Sequence, residues 1–384
     1  MQTVISRELG EWAVAHRRYL HQHPELSGQE YQTHTYIKQH LEALGIAILD
    51  YQAPSVVGFL KGTDGSKTIA LRADIDALPV QEEGEKSYLS KVPGVAHACG
   101  HDGHTAVLLA AAKWLSEHQG QVKPNVVFIF QSSEEREPSG AEALIKQGVL
   151  SNVDAVFGIH LWQPLAKGLI GVCHGPMMGA CDEFKITITG KGGHGAMPHE
   201  TVDPVYIASQ VVGGLQSIVS RALNPMQSAV VTVGKVEEGS TFNIIPNEAV
   251  MLGTARSLTE ETRQCVHKQM QRIVAGIPAS FGAAGHMEYY WGTPAVVNDR
   301  QQSRYVEEVV KAVFGESVYA ADMEPTMAAE DFAFYLSHCP GAFIFVGMGG
   351  EASAYSHHHP RFDIDEAVIP SAIELFVQLV LRFE

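Results

Sequence analysis

The 384-residue sequence has no apolar run approaching the roughly 18 residues that a membrane-spanning helix needs. The opening residues, Met1 to Glu8, hold no apolar core of the kind a secretory signal carries, so a cytoplasmic protein is expected. Positive charge is scarce: 27 Lys and Arg face 43 Asp and Glu, for a net charge of −16, and no Lys/Arg cluster occurs. Nucleic acid and anionic membrane surfaces, which attract proteins mainly through charge, are therefore not expected as partners. Cysteine is sparse as well. Cys99, Cys173, Cys181, Cys265 and Cys339 are odd in number, scattered and free of CxxC pairs, which suits reduced thiols better than a disulfide framework. Internal repeats and low-complexity segments are lacking too.

What remains is an ordinary globular composition, 45% apolar and 18% charged, in a chain long enough for two domains. Histidine, at 19 residues, is plentiful. Its densest stretch is His97-Ala98-Cys99-Gly100-His101-Asp102-Gly103-His104, which precedes an apolar run, Thr105 to Ala112, that reads as a buried helix. Three imidazoles, a thiol and a carboxylate on a loop ahead of a helix are costly to keep buried unless something binds them. A plain helix cap, with Thr105 or Asp102 at the N-cap, explains one or two of these residues and leaves the others unaccounted for.

Helical spacing covers residues 6–22 and 30–44, and Gly45 is placed to stop the second helix. Strands are predicted over 56–61 and 68–72, joined by a turn at Asp64-Gly65, and the second runs into Asp74-Ile75-Asp76. After a helix over 104–118, the buried strand 125–131 leads into Ser132-Ser133-Glu134-Glu135; a helix over 141–147 and a strand over 154–159 ending in His160 follow. This alternation indicates a mostly parallel sheet, with Asp76, Glu134, Glu135 and His160 gathered on one edge. Between about 182 and 292 the order becomes strand 183–189, helix 203–222, strand 228–236, strand 249–256, helix 259–276 and strand 286–291, a ferredoxin-like βαββαβ unit. The expected fold class is α/β, with a catalytic domain over 1–181 and 293–384 and an inserted domain over 182–292. The second part carries a helix near 303–314, a strand over 342–346 and a last helix over 371–383.

The candidate ligands along the first domain are Cys99, His101, Glu135, His160 and one of His357, His358 and His359. Thiolate, imidazole and carboxylate together suit zinc, manganese, nickel or cobalt rather than calcium or magnesium. The set exceeds what one tetrahedral ion needs and would be used fully by two ions roughly 3.5–4 Å apart. A bound divalent ion lowers the pKa of water from about 15.7 to about 7. Neighbouring residues of an extended backbone point opposite ways, so Glu134 and Glu135 are expected to take different roles, ligand for Glu135 and proton acceptor for Glu134.

The stretches Leu71-Arg72-Ala73-Asp74-Ile75-Asp76-Ala77-Leu78-Pro79, His97 to His104, Glu134-Glu135, Gly158-Ile159-His160, Gly190-Lys191-Gly192-Gly193-His194 and His358-His359-Pro360-Arg361-Phe362-Asp363 occur in the order and over the extent of the chain that make it resemble the amidohydrolase branch of the aminoacylase and carboxypeptidase metallopeptidases. That branch includes hippurate hydrolases, plant auxin-conjugate hydrolases and N-acetyl-diaminopimelate deacetylases. The resemblance implies a site for two divalent ions, zinc or manganese first and nickel or cobalt next, held by Cys99, His101, Glu135, His160 and His358, with Glu134 as general base and Asp76 orienting a ligand. It also implies that the inserted domain is a lid and homodimerisation module and that His194 stabilises the oxyanion, in the site of the partner subunit. Asn243 and Arg256 would hold the substrate carboxylate, a task that suits the planar fork of Arg. Two places depart from the family pattern: Ser132-Ser133 stands where relatives carry Pro-Ala, and the triplet 357–359 puts His357 where relatives show an apolar residue.

The function expected is hydrolysis of an N-acyl amino acid, a small-molecule substrate, to a carboxylic acid and a free amino acid. Alternatives are a dipeptidase or carboxypeptidase using the same two-metal site, a thiol hydrolase with Cys99 as nucleophile, and a catalytically silent binding relative.

Overall fold

A continuous apolar run buried on both faces makes a central strand, and three such runs build the middle of this molecule. The structure, a computed structural model, describes Val4 to Glu384. The chain divides into two compact units: the first takes in the chain up to Gly175, Asn298–Glu324 and Phe334–Glu384, and the second takes in Pro176–Val297 and Pro325–Ala333. No helix among the described residues is long and apolar enough to cross a membrane.

The first unit opens with α1 (Arg7–Gln22) and α2 (Tyr31–Ala43), followed by β1 (Ala47–Leu49), β2 (Val56–Leu60) and β3 (Thr68–Asp74). Then come α3 (His101–Glu117), β4 (Asn125–Gln131), α4 (Gly140–Lys146), the long β5 (Ala155–Ala166) and the short β6 (Ile170–Gly171). The second unit contributes β7 (Pro176–Met178), β8 (Ala180–Thr189), β9 (Gly193–His194), α5 (Pro204–Ser217), β10 (Ala229–Glu238), β11 (Ile244–Ile245), β12 (Glu248–Ser257), α6 (Glu260–Ser280), β13 (Ala284–Tyr290) and β14 (Val296–Val297). The chain closes with α7 (Arg300–Phe314), the short α8 (Phe332–Leu336), β15 (Gly341–Gly349) and α9 (Ile369–Leu381).

Seven strands of the first unit form one sheet in the order β1-β2-β4-β3-β5-β15-β6. Its centre is parallel, β4 with β3, β3 with β5 and β5 with β15, while the flanking pairs are antiparallel. The expected hairpin between β2 and β3 is absent, because β4 lies between them and pairs with both. The Asp64-Gly65 turn does form, with Gly65 at φ 67°, but its backbone bonds to Lys123 instead of closing a ladder. The fully buried β3 needs a partner on each edge, and a two-residue turn cannot supply both.

Helix α3 begins earlier than the expected residue 104: its N-cap is Gly100, at φ 95°, so His101, Asp102 and His104 form its first turn and do not sit on a loop ahead of it. Neither Thr105 nor Asp102 is the cap. A left-handed cap of this kind favours glycine, and it releases the polar residues to point into the unit. Asp102 is used at once. Arg17 of α1, wholly buried, reaches Asp102 Oδ2 with Nε at 2.7 Å, Asp363 Oδ1 with Nη2 at 2.5 Å and Glu366 Oε1 with Nη1 at 3.2 Å. His21 adds a contact of 2.7 Å to Asp102 through Nδ1 and another of 2.7 Å to Glu82 through Nε2.

Burial alone raises the acids of this knot, yet Arg17 and His21 hold Asp102 well below the usual carboxylate range, and His21 and Lys86 hold Glu82 at about 2. Both acids therefore bind protons more readily in the unfolded chain. Their contribution to stability is complete above the unfolded values, about 4, and disappears as pH falls toward the folded ones. The urea midpoint is expected to drop steeply between about pH 4.5 and pH 2. A midpoint unchanged across that interval would show that these acids are not paired in the folded protein.

In the second unit, β8, β10, β12 and β13 form an antiparallel sheet in the order β10-β12-β8-β13, with α5 and α6 completing the βαββαβ sequence. Alternate residues of β8 point inward, and Phe184, Ile186 and Ile188 pack with Val211, Leu215 and Met270 of the helices. α5 ends at Ser217, and the predicted helix continues to Ala222 only as a wider turn.

Candidate metal centre

In an open parallel sheet, side chains gather where the strands end, and here the carboxyl ends of β3 and β4 meet the first turn of α3. Asp76 lies two residues past β3 and is fully buried. One of its oxygens, Oδ1, is 3.1 Å from His101 Nδ1; the other accepts the Glu135 amide at 2.9 Å and the Ser27 hydroxyl at 2.7 Å. His101 Nδ1 also lies 3.0 Å from the Asp76 carbonyl oxygen. A ring nitrogen placed against two acceptors carries its proton there, which leaves Nε2 as the open lone pair.

That Nε2 faces both glutamates, with Glu134 Oε2 and Glu135 Oε1 each 3.9 Å away. The expectation that the two side chains point to opposite sides is overturned. Residues 132–136 are not extended: Ser133 has φ 51°, and the bend swings both carboxylates toward His101. The bend is fixed at its far end by Gly140, whose amide donates to the Ser133 carbonyl at 3.0 Å and where a Cβ would lie only 1.8 Å from the Ser132 oxygen.

His160 does not end its strand, since β5 continues to Ala166 by pairing with β15 as far as Gly349. Its Nδ1 lies 3.0 Å from the Leu161 carbonyl, and its Nε2 lies 3.6 Å from Cys99 Sγ. The triplet sorts itself by contact. His357 accepts the Gln163 amide at Nε2, 3.2 Å, and turns Nδ1 to Cys99 Sγ at 3.9 Å. His358, at φ 67°, is tied through its amide to the Ala98 carbonyl at 2.7 Å and brings Nε2 to 3.3 Å from Glu135 Oε1. His359 accepts the Arg361 amide and stacks on Tyr355.

Sets of donor atoms lying within 4.8 Å of one another include Cys99, Glu135 and His358; His101, Glu134 and Glu135; Cys99, His160 and His357; and Asp74, His101 and His104. Glu135 and Cys99 are shared between sets. His101 Nε2 and Glu135 Oε1 are buried without a hydrogen-bond partner, the ion-pair contacts above lacking hydrogen-bond geometry. Orphaned buried donors and acceptors are costly, and a cation between them removes the cost. The electrostatics agree. Although burial lowers it, Asp74, Asp76 and Glu135 push His101 up to about 10, so this point in the molecule attracts positive charge. Burial, then Glu135 and Glu134, push the Cys99 thiol well above its ordinary value. Burial, His104 and His357 hold His160 well below the usual imidazole range, so it stays neutral with a free lone pair.

Residues 70–382 match the pattern of Peptidase family M20/M25/M40. This chain belongs to that family. It is 40% identical over 367 residues to the N-acetylcysteine deacetylase of Bacillus subtilis (strain 168), covering 95% of each chain. It is 44% identical over 302 residues to the N-acyl-L-amino acid amidohydrolase of Geobacillus stearothermophilus, covering 78% of this chain and 82% of that one. Its fold matches the crystal structure of a Bacillus subtilis dinuclear metal binding peptidase from the M20 family with TM-score 0.86 and 36% identity, over 98% of each chain.

Asp74 and His104 support this M20 site through contacts that the sequence pattern alone does not bring out. Asp74 receives His104 Nδ1 at 2.6 Å and Arg72 Nη1 at 2.6 Å, and His104 Nε2 accepts the Leu161 amide at 2.9 Å, next to His160. The clue was available: Asp74 precedes Asp76 by two residues on one edge, and His104 stands one helical turn past His101. The remaining residues singled out in the M20 sequence belong to the second unit. His194, on β9, accepts the Ala196 amide at Nδ1, 3.0 Å, and pairs across the short ladder with Ile244, next to Asn243. Arg256 stands on β12 opposite Cys181 of β8.

Proposed function

We propose that this chain hydrolyses the amide bond of N-acyl amino acids at a site that holds two divalent metal ions through Cys99, His101, Glu135, His160 and His358. The observation that carries the reading is the convergence of donor sets sharing Glu135 and Cys99 on two orphaned atoms, His101 Nε2 and Glu135 Oε1. The relatives named above act on N-acetylcysteine and N-acyl-L-amino acids, which sets the substrate class. Thiolate, imidazole and carboxylate donors favour zinc or manganese. Of the triplet, His358 is assigned as ligand because its Nε2 lies 3.3 Å from Glu135 Oε1, the orphaned oxygen that also faces His101.

Held by Cys99, His101, Glu135, His160 and His358, two divalent ions would supply Lewis-acid and water-activating chemistry. The chain's own groups do the rest. Asp76 keeps His101 in one tautomer, and the Leu161 carbonyl does the same for His160. Glu134, turned to the same side as Glu135 by the bend, takes the proton of the attacking water and passes it to the leaving amine. In the second unit, His194 Nδ1 accepts the Ala196 amide, so its proton sits on Nε2; in this reading it donates to the oxyanion in the site of the partner subunit, and Asn243 and Arg256 are the groups suited to a substrate carboxylate. A thiol nucleophile is disfavoured by the surroundings of Cys99. Nucleophilic cysteines sit in electropositive places, whereas Glu134, Glu135 and Asp74 surround this one with negative charge.

Exhaustive removal of divalent ions is expected to abolish hydrolysis of N-acetyl amino acids, and added Zn²⁺ or Mn²⁺ to restore it. Hydrolysis that persists in metal-free protein would sink the reading. In the same assay N-acetyl amino acids are expected to show higher kcat/KM than dipeptides; the reverse order selects a peptidase.

A further inference from the structure

The connector between α1 and α2 touches the site from behind at two points. Leu26 bridges to Ala77, and the Ala77 amide donates to the Glu25 carbonyl at 2.8 Å, fixing the connector against the end of β3. The Ser27 hydroxyl then reaches Asp76 at 2.7 Å. Farther along, Glu30 Oε1 accepts the amide of Ser133 at 2.8 Å.

Glu30 stands at the N-cap of α2, yet its side chain does not cap that helix. The capping is done by Glu25, whose two oxygens take the amides of Gln32 and Thr33 at 3.1 and 2.8 Å. Glu30 is 0% exposed, and its second oxygen is buried without a partner. Burial pushes its carboxyl up to about 7. A buried acid costs stability, and the hydrogen bond that does most to offset this cost is the one from the Ser133 amide, ahead of the amides of Glu30 itself and Gly28. Ser133 is one of two described non-glycine residues at positive φ, the other being His358. Such backbone persists only where the surroundings hold it, and it tends to be found at functional sites.

We propose that Glu30 is a positioning residue for hydrolysis: by gripping the Ser133 amide it maintains the bend that turns Glu134 and Glu135 together toward His101. The proposal rests on the roles given above to those two glutamates. Glu30→Met fills similar volume without an acceptor, and Glu30→Gln keeps the acceptor without the acid. The Met variant is expected to lose roughly tenfold to a hundredfold in kcat with KM within about threefold of wild type, while the Gln variant stays within about threefold in kcat. A second readout is independent of turnover. Titrated with Co²⁺ and followed by absorbance, metal-free wild type and the Gln variant are expected to take two equivalents with matching affinity. The Met variant should bind one of them at least about tenfold more weakly, because Glu135 is no longer held in place.

Melting curves establish that each variant is folded; if the Met variant is not, Glu30→Ala is read in the same way. A Met variant with wild-type kcat and a wild-type cobalt isotherm overturns the proposal. So does a Gln variant as impaired as the Met variant, since the acid and not the amide bond would then matter. Wild type that binds no cobalt and hydrolyses nothing overturns the functional reading and this proposal with it, and the wild-type isotherm tells that failure from the others.

Discussion

Glu134→Gln is expected to lower kcat by about 10²–10⁴-fold with little change in KM, metal content or melting temperature. Gln keeps the size and the acceptor oxygen of Glu134, so the bend through Ser133 and the position of Glu135 are preserved. What disappears is the ability to take a proton from water and return it to a nitrogen leaving group. Removing a positioned acid–base group has an effect of that order because the proton must otherwise move through bulk water. The Oε2 atom lies 3.9 Å from His101 Nε2, on the side where the donor sets converge, so no other glutamate is needed for the role. Turnover is measured with an N-acetyl amino acid under saturating Zn²⁺ or Mn²⁺, and metal content is checked on the same samples. A loss smaller than about tenfold would remove Glu134 from the chemistry.

Arg17→Met should have the largest effect on stability. The guanidinium is wholly buried and neutralises Asp102, Asp363 and Glu366 together, at 2.7, 2.5 and 3.2 Å. Met fills much of the space but leaves buried carboxylates without their cation. Breaking a buried pair from one side costs about 3–5 kcal/mol, because the remaining charge stays desolvated and unpaired. The urea midpoint of the first unit should fall accordingly. Adding Asp102→Leu to Arg17→Met should recover part of the loss, since an apolar pair can occupy such a position at little net cost. A single variant within about 0.5 kcal/mol of wild type would show that the knot contributes no stability.

Much of the architecture is written in local pattern. The apolar runs of β3, β4 and β5 and the helical spacing of α1 and α2 need only the side chains themselves to be recognised, and the elements form within a few residues of the expected limits, except that β5 runs on to Ala166. Pairing is another matter. β4 enters between β2 and β3 from some fifty residues away, and no feature of the Asp64-Gly65 turn announces it. The start of α3 was displaced because Gly100 reads as a loop residue, whereas its left-handed backbone is what begins the helix.

The candidate site divides along the same line. The grouping of Cys99, His101, Glu135 and a histidine of the triplet was legible from residue type and from position at strand ends. The sidedness of Glu134 and Glu135 was not, because it turns on one backbone angle at Ser133, set by groups 103 residues upstream and seven downstream. The separation of His357 from His358 likewise depends on distant groups, the Gln163 amide for one and Glu135 for the other, which no pattern within 356–363 contains. Asp74 and His104 were visible as letters and overlooked as partners.

Strand β15 lies between β5 and β6, both completed before residue 172, while β15 itself begins at Gly341. During synthesis the edge of β5 therefore stands open until the residues from Gly341 onward leave the ribosome, and the acid Asp363 that Arg17 awaits arrives later still. A nascent chain in that interval carries a long unprotected apolar strand, the kind of surface that chaperones cover and that truncated products expose to aggregation.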